Sequence, residues 1–109
     1  MIKVFHATNT TDDKASDYGF DSWIDYWKTT KQHHPRFTCP FCSKFPKKLV
    51  GAHVVSCKDW KTYIVPCCSD CNSKFTQNID LKKEIVFFDI EEELLVQHPA
   101  SFSKNKGIK

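Results

Sequence analysis

Two Cys-x-x-Cys pairs, Cys39-Pro-Phe-Cys42 and Cys68-Ser-Asp-Cys71, constrain this chain more than any other feature. Two thiolates flanking a tight turn can both reach one tetrahedral ion at about 2.3 Å, and a second such turn closes a four-sulfur site. One pair alone can serve redox chemistry. Two pairs within 109 residues, with no βαβ pattern around them, point instead to a structural Zn²⁺ on Cys39, Cys42, Cys68 and Cys71. The 25 residues between the pairs exceed the roughly 15–20 of common zinc ribbons, and an intervening hairpin accounts for the excess. Cys67 can replace Cys68 in a Cys67-x3-Cys71 arrangement, but Cys68 mirrors the first pair. Cys57 and Cys67 otherwise read as small buried hydrophobes, or as a cross-hairpin disulfide in oxidising surroundings. His33-His34 can offer a ligand or a phosphate contact, or stand as a solvated pair before Pro35.

A chain of this length is expected to form a single domain over 1–109, whose modest core gains stability from a bound metal. Its start, MIKVFHATNTTDD, lacks the apolar run of a secretory signal. No stretch reaches the roughly 20 apolar residues of a membrane helix. A reducing, cytoplasmic setting follows as the expectation, which favours metal over disulfides for paired cysteines.

Residues 1–36 read as an N-terminal extension, beginning with a short strand at 1–5 and a polar loop to Gly19. Ser22-Trp-Ile-Asp25 has the form of a capping box, and Phe20, Trp23, Ile24 and Trp27 recur at helical spacing. The spacing predicts an amphipathic helix over 22–32 whose aromatic face is core. Within 37–80, residues 48–56 and 60–66 are rich in β-formers and flank a polar turn, the pattern of a β-hairpin. A short helix is expected from 72 to about 78. Residues 81–100 carry a predicted strand at 84–90, then a helical turn or strand over 91–97, and 101–109 form a loose tail. The predicted fold class is small α+β.

Charge is unevenly placed. Residues 28–61 hold eight lysines and arginines against the single acid Asp59, whereas 1–27 and 80–93 are net acidic. A basic centre beside a metal site suits a polyanion, and it also suits a solvated lysine face offsetting a zinc–thiolate cluster.

Knuckle, hairpin, knuckle, helix is the order of a zinc-stabilised treble clef. The run CPFC, GAHV, YIVPCCSDCN resembles the four-Cys zinc branch of the HNH (His-Me finger) endonucleases across roughly residues 37–80. The resemblance implies that His53 is the general base activating water for attack on phosphorus. A divalent ion, Mg²⁺ or Mn²⁺, would steady the scissile phosphate. Asn72 matches the final motif position and is implied as a second-metal ligand. Ala52 stands where such enzymes usually carry a metal-binding Asp, and Tyr63 where they carry a middle Asn. A substitute carboxylate is sought in Asp59 or Asp70. Without catalysis, His53 would simply pack against the helix or bond a backbone carbonyl.

Three functions fit these features. One is a metal-dependent endonuclease in which Arg36, Lys44, Lys47, Lys48 and Lys74 contact nucleic acid. The second is the same scaffold binding nucleic acid without cutting it. The third, suggested by the frequency of short HNH-like chains in phage and bacteria, is a non-catalytic inhibitor or adaptor that meets a protein partner.

Overall fold

Two runs rich in β-forming residues on either side of a polar turn make the hairpin at the centre of the molecule. β2 (Leu49–Ser56) and β3 (Thr62–Cys68) pair antiparallel, with Ala52 opposite Val65 and His53 opposite Ile64. Ser56 to Lys61 closes the turn: the Lys61 amide bonds the Asp59 carboxylate at 3.0 Å, and Trp60 takes a positive φ of 61°. In this computed structural model, residues 1–7, 13–31, 38–45, 48–76 and 85–100 are described. His33, His34, Pro35, Arg36, Lys47, the expected helix end at 77–78 and the tail 101–109 lie outside those residues.

β1 (Ile2–His6) pairs with β2 on one side and β4 (Phe87–Ile90) on the other, while β5 (Val96–Gln97) extends β3. The result is a five-stranded antiparallel sheet in the order β4-β1-β2-β3-β5. With helices α1 (Trp23–Thr30) and α2 (Ser69–Thr76), this is a small α+β fold. Several boundaries differ from expectation. α1 is shorter than 22–32, α2 starts at Ser69 inside the second cysteine pair, and β4 begins only at Phe87. Residues 91–97 hold both a 3-10 turn, Glu92–Leu94, and β5. A further 3-10 turn, Ala15–Tyr18, interrupts the expected N-terminal loop and closes on Gly19 at φ 88°. Among the described residues no helix is long and apolar enough to cross a membrane.

The two faces of the sheet bury different cores because neighbouring strand residues point to opposite sides. Val4, Ala52, Val54, Val65, Cys67 and Ile90 join the paired cysteines in one cluster. Ile64 and Val96 join Tyr26, Trp27 and Leu94 in the other. α1 caps the second face as its sequence requires. Ser22 Oγ accepts the Asp25 amide at 3.1 Å, satisfying an orphan donor of the first turn. Trp27, 1 % exposed, donates its indole N–H to the Leu94 carbonyl at 2.8 Å. Tyr26 donates its hydroxyl to the Gln97 carbonyl, so α1 is bolted to the C-terminal segment by two buried aromatic side chains.

Gly51 sets how closely α1 approaches β2. A Cβ at this position would lie 2.5 Å from the Trp23 carbonyl carbon and 2.7 Å from the Ile24 amide nitrogen. These are backbone atoms, so no rotamer change relieves the clash and the whole helix must move. Gly51→Ala is expected to destabilise the chain by about 1–3 kcal/mol, read as a lower urea midpoint at unchanged slope. An unchanged midpoint would show that α1 does not hold this close approach.

Candidate functional site

Four sulfurs converge where the turn 39–42 meets the end of β3 and the start of α2. Cys39, Cys42, Cys68 and Cys71 have sulfur atoms all within 4.8 Å of one another, close enough to hold a metal ion. Cys42 and Cys68 are 3.8 Å apart, matching the roughly 3.8 Å edge of a tetrahedron with 2.3 Å metal–sulfur bonds. The first turn is tight: the Ser43 amide bonds the Cys39 carbonyl at 2.7 Å, the Cys39 amide bonds the Lys44 carbonyl at 2.9 Å, and Ser43 takes φ 63°. Phe41 seats it on the sheet by packing against His6 and Phe88 at ring separations of 4.5 and 4.8 Å. Burial holds the His6 imidazole down near pKa 4, so that ring packs as a neutral group.

Backbone amides point into the cluster. Cys68 N–H reaches Cys39 Sγ at 3.5 Å and Cys71 N–H reaches Cys68 Sγ at 3.4 Å. Burial raises the Cys39 thiol, but the amides of Cys68, Phe41 and Cys42 outweigh it and bring the thiol down to about 7. Burial pushes the Cys68 and Cys71 thiols upward. Those two sulfurs are therefore protonated in the metal-free chain at neutral pH, and a metal must displace their protons. Metal uptake should strengthen as pH rises from 6 to 8 and release protons, measurable by competition with a chromophoric chelator. A pH-independent affinity would contradict thiolate ligation.

Cys67 lies outside the four-sulfur group. It is fully buried, and its thiol donates to the Cys68 carbonyl at 3.3 Å. A Cys57–Cys67 disulfide is ruled out by the register. Cys67 sits opposite Val50, seven residues from Cys57, or about 23 Å along the strand. Both are free thiols.

His53 lies on the opposite face of the sheet from Ala52, beneath α1. It is 7 % exposed, and its Nε2 meets Asp13 Oδ2 at 2.7 Å. His98, 5 % exposed, brings its own Nε2 to the same oxygen at 2.5 Å. Trp23 organises the group: its indole N–H donates to the Asp13 carbonyl at 2.9 Å, and its ring lies 4.9 Å from His53 and 4.7 Å from His98. The His98 amide bonds the Thr62 carbonyl at 3.1 Å, continuing the β3–β5 pairing and directing the imidazole toward His53. Burial holds His53 below the usual imidazole range; the Asp13 hydrogen bond and charge raise it, and His98 lowers it further. His53 is thus neutral and able to take a proton at neutral pH.

The carboxylate beside His53 is therefore Asp13, and neither proposed substitute fills that place. Asp59 is held at the hairpin turn by the Tyr63 hydroxyl at 2.5 Å, and Asp70 is exposed in the first turn of α2. Ala52 is buried among the cysteine-side residues, where an Asp would face the apolar core and not His53. The described side-chain contacts of His53 are with Asp13, Trp23 and His98; half-buried Asn72 is not among them. Asp13 also lines an open cleft of about 590 Å³ with Lys14, Ser22, Trp23, Lys48 and Gly51. Of the basic residues expected to contact nucleic acid, Lys48 is in this cleft and Lys44 is exposed on the first cysteine turn. Arg36 and Lys47 lie outside the described residues, as does the side chain of Lys74.

Asp13, His53 and His98 form a second group whose donor atoms lie within 4.8 Å of one another. Their chemistry differs from that of the cysteines. The Ala100 amide donates to His98 Nδ1 at 3.0 Å, whereas a metal-bound histidine normally donates from that nitrogen. No known family model, curated protein or solved structure matches the chain.

Proposed function

We propose that this chain is a zinc-stabilised treble clef of the HNH type that acts on nucleic acid, with His53 as the general base of phosphodiester cleavage. The observation that carries the reading is the 2.7 Å bond between His53 Nε2 and Asp13 Oδ2. It gives the imidazole a carboxylate partner where the sequence motif has only Ala52. A neutral imidazole oriented by a carboxylate can take a proton from water and stabilise the charge that follows. Zn²⁺ on Cys39, Cys42, Cys68 and Cys71 serves the fold, since four thiolates leave no position open for substrate. Asp13 keeps its second carboxylate oxygen outside its two histidine bonds, a hard donor of the kind Mg²⁺ or Mn²⁺ takes. Such an ion, bound with phosphate, supplies charge neutralisation at the scissile group. Lys14 and Lys48 supply positive charge along the cleft.

The reading predicts plasmid nicking by the purified chain in Mg²⁺ or Mn²⁺. It also predicts DNA affinity that falls steeply with salt as displaced counterions set the dependence. Salt-sensitive binding without cleavage in any divalent metal would reduce the chain to a binding module. Absence of both would remove nucleic acid altogether and leave a protein-binding role. That second reading draws on one observation of its own. Trp60, 70 % exposed, and Phe87 both pack edge-on to Phe5, near the acidic run 89–93. An exposed aromatic cluster beside acids is suited to a protein surface.

A further inference from the structure

Two imidazoles on one carboxylate oxygen can hold a metal ion or share protons, and the direction of the hydrogen bonds decides between them. The chain of bonds begins at a backbone amide, which can only donate. Ala100 N–H donates to His98 Nδ1, so in neutral His98 the ring proton sits on Nε2. That Nε2–H donates to Asp13 Oδ2 at 2.5 Å, and a carboxylate oxygen receiving this bond is an acceptor. The His53 Nε2, 2.7 Å from the same oxygen, must then be a donor as well. The polarity runs without a break from Ala100 through His98 to Asp13, and His53 completes it from the other side.

We propose that Asp13 and His98 are a positioning pair that fixes His53 in its Nε2–H tautomer and leaves Nδ1 as the basic nitrogen. The assignment of that nitrogen as the base in catalysis rests on the function proposed above; the tautomer does not. For His98 to bind a metal through Nε2, its proton would have to move to Nδ1, against the Ala100 amide. For His53 the same step would remove its bond to Asp13. Both changes oppose the observed contacts, so the two imidazoles share protons through Asp13 Oδ2 and do not ligate metal. Trp23 keeps the network in place from outside, by its bond to the Asp13 carbonyl and its ring contacts with both histidines. Asp13 is 40 residues from His53 and 85 from His98 in sequence, so the pairing depends on the docking of α1 and β5.

The test is long-range ¹H–¹⁵N correlation on ¹⁵N-histidine-labelled, zinc-loaded full chain at neutral pH, which reads the protonated nitrogen of each ring. Both His53 and His98 should carry the proton on Nε2. In Asp13→Ala the acceptor is gone, and a Nδ1–H population of His53 should emerge. His98→Phe should release the carboxylate and give the same change. His98→Gln, whose amide can donate in place of the ring, should retain the wild-type His53 signal. This rescue separates positioning from simple packing. Where wild type cleaves nucleic acid, Asp13→Ala should lower kcat by about 10²–10⁴-fold with little change in KM. If wild type does not cleave, the nuclease reading fails while the nitrogen shifts still decide the tautomer. A wild-type His53 protonated on Nδ1 would overturn the proposal. So would an unchanged tautomer in folded Asp13→Ala, or a second bound Zn²⁺ lost in that variant.

Discussion

Stripping the metal from Cys39, Cys42, Cys68 and Cys71 should unfold the chain. These side chains belong to or pack against the main apolar cluster with Val4, Ala52, Val54, Val65 and Ile90, so an ion held by them would be one unit with the core. A structural zinc contributes apparent binding energies of about 10–16 kcal/mol in zinc-finger peptides, comparable to or above the roughly 5–15 kcal/mol stability of a whole domain. A chelator should therefore abolish near-ultraviolet circular dichroism and the cooperative thermal transition. Cys68→Ser should act in the same direction, since Cys68 ends β3, lies at the junction with α2 and has the Cys71 amide bonded to its sulfur. A metal-free chain that retained its tertiary signal would remove the zinc from the account.

His53→Ala should lower nucleic-acid cleavage by about 10²–10⁴-fold, the range for loss of a general base. Zinc content should remain at the wild-type level, because His53 and the four-cysteine group lie on opposite faces of the sheet and share no ligand atom. The variant leaves Asp13 paired with His98 alone, so the network is shortened without burying a lone charge. Binding of DNA should change far less than the rate, since Lys14 and Lys48 line the cleft and buried His53 does not. A variant that cuts as fast as wild type would show that His53 is a packing residue beneath Trp23.

The cysteine cluster was legible in the sequence because its information is local. Each pair closes its own turn, and the hairpin between them follows from two runs of β-formers. The aromatic face of α1 was readable for a similar reason, since Trp23 and Trp27 are one helical turn apart. The Asp13–His53–His98 group has no such signature. Asp13 is one acid in a polar stretch with Asp12 and Asp17, and His98 looks like a residue ending a strand before Pro99. They meet only because α1 docks on Gly51 and β5 pairs with β3. One local clue did exist. Strict alternation along Gly51-Ala-His53 puts position 52 on the face away from His53. The helper carboxylate therefore had to come from whatever covers the His53 face. The bulkier problem, that Trp23 tethers the Asp13 loop, could not be read from a helical period that marks the same residue as core.

Cobalt titration of the metal-free chain distinguishes a single four-thiolate site from a second site at Asp13, His53 and His98, because Co²⁺ reports both the number and the kind of its ligands. One equivalent per chain is expected, with intense thiolate charge-transfer bands and tetrahedral d–d absorption, unchanged in Asp13→Ala and His53→Ala. Two equivalents, with the second showing nitrogen and oxygen ligation and disappearing in Asp13→Ala, would contradict it.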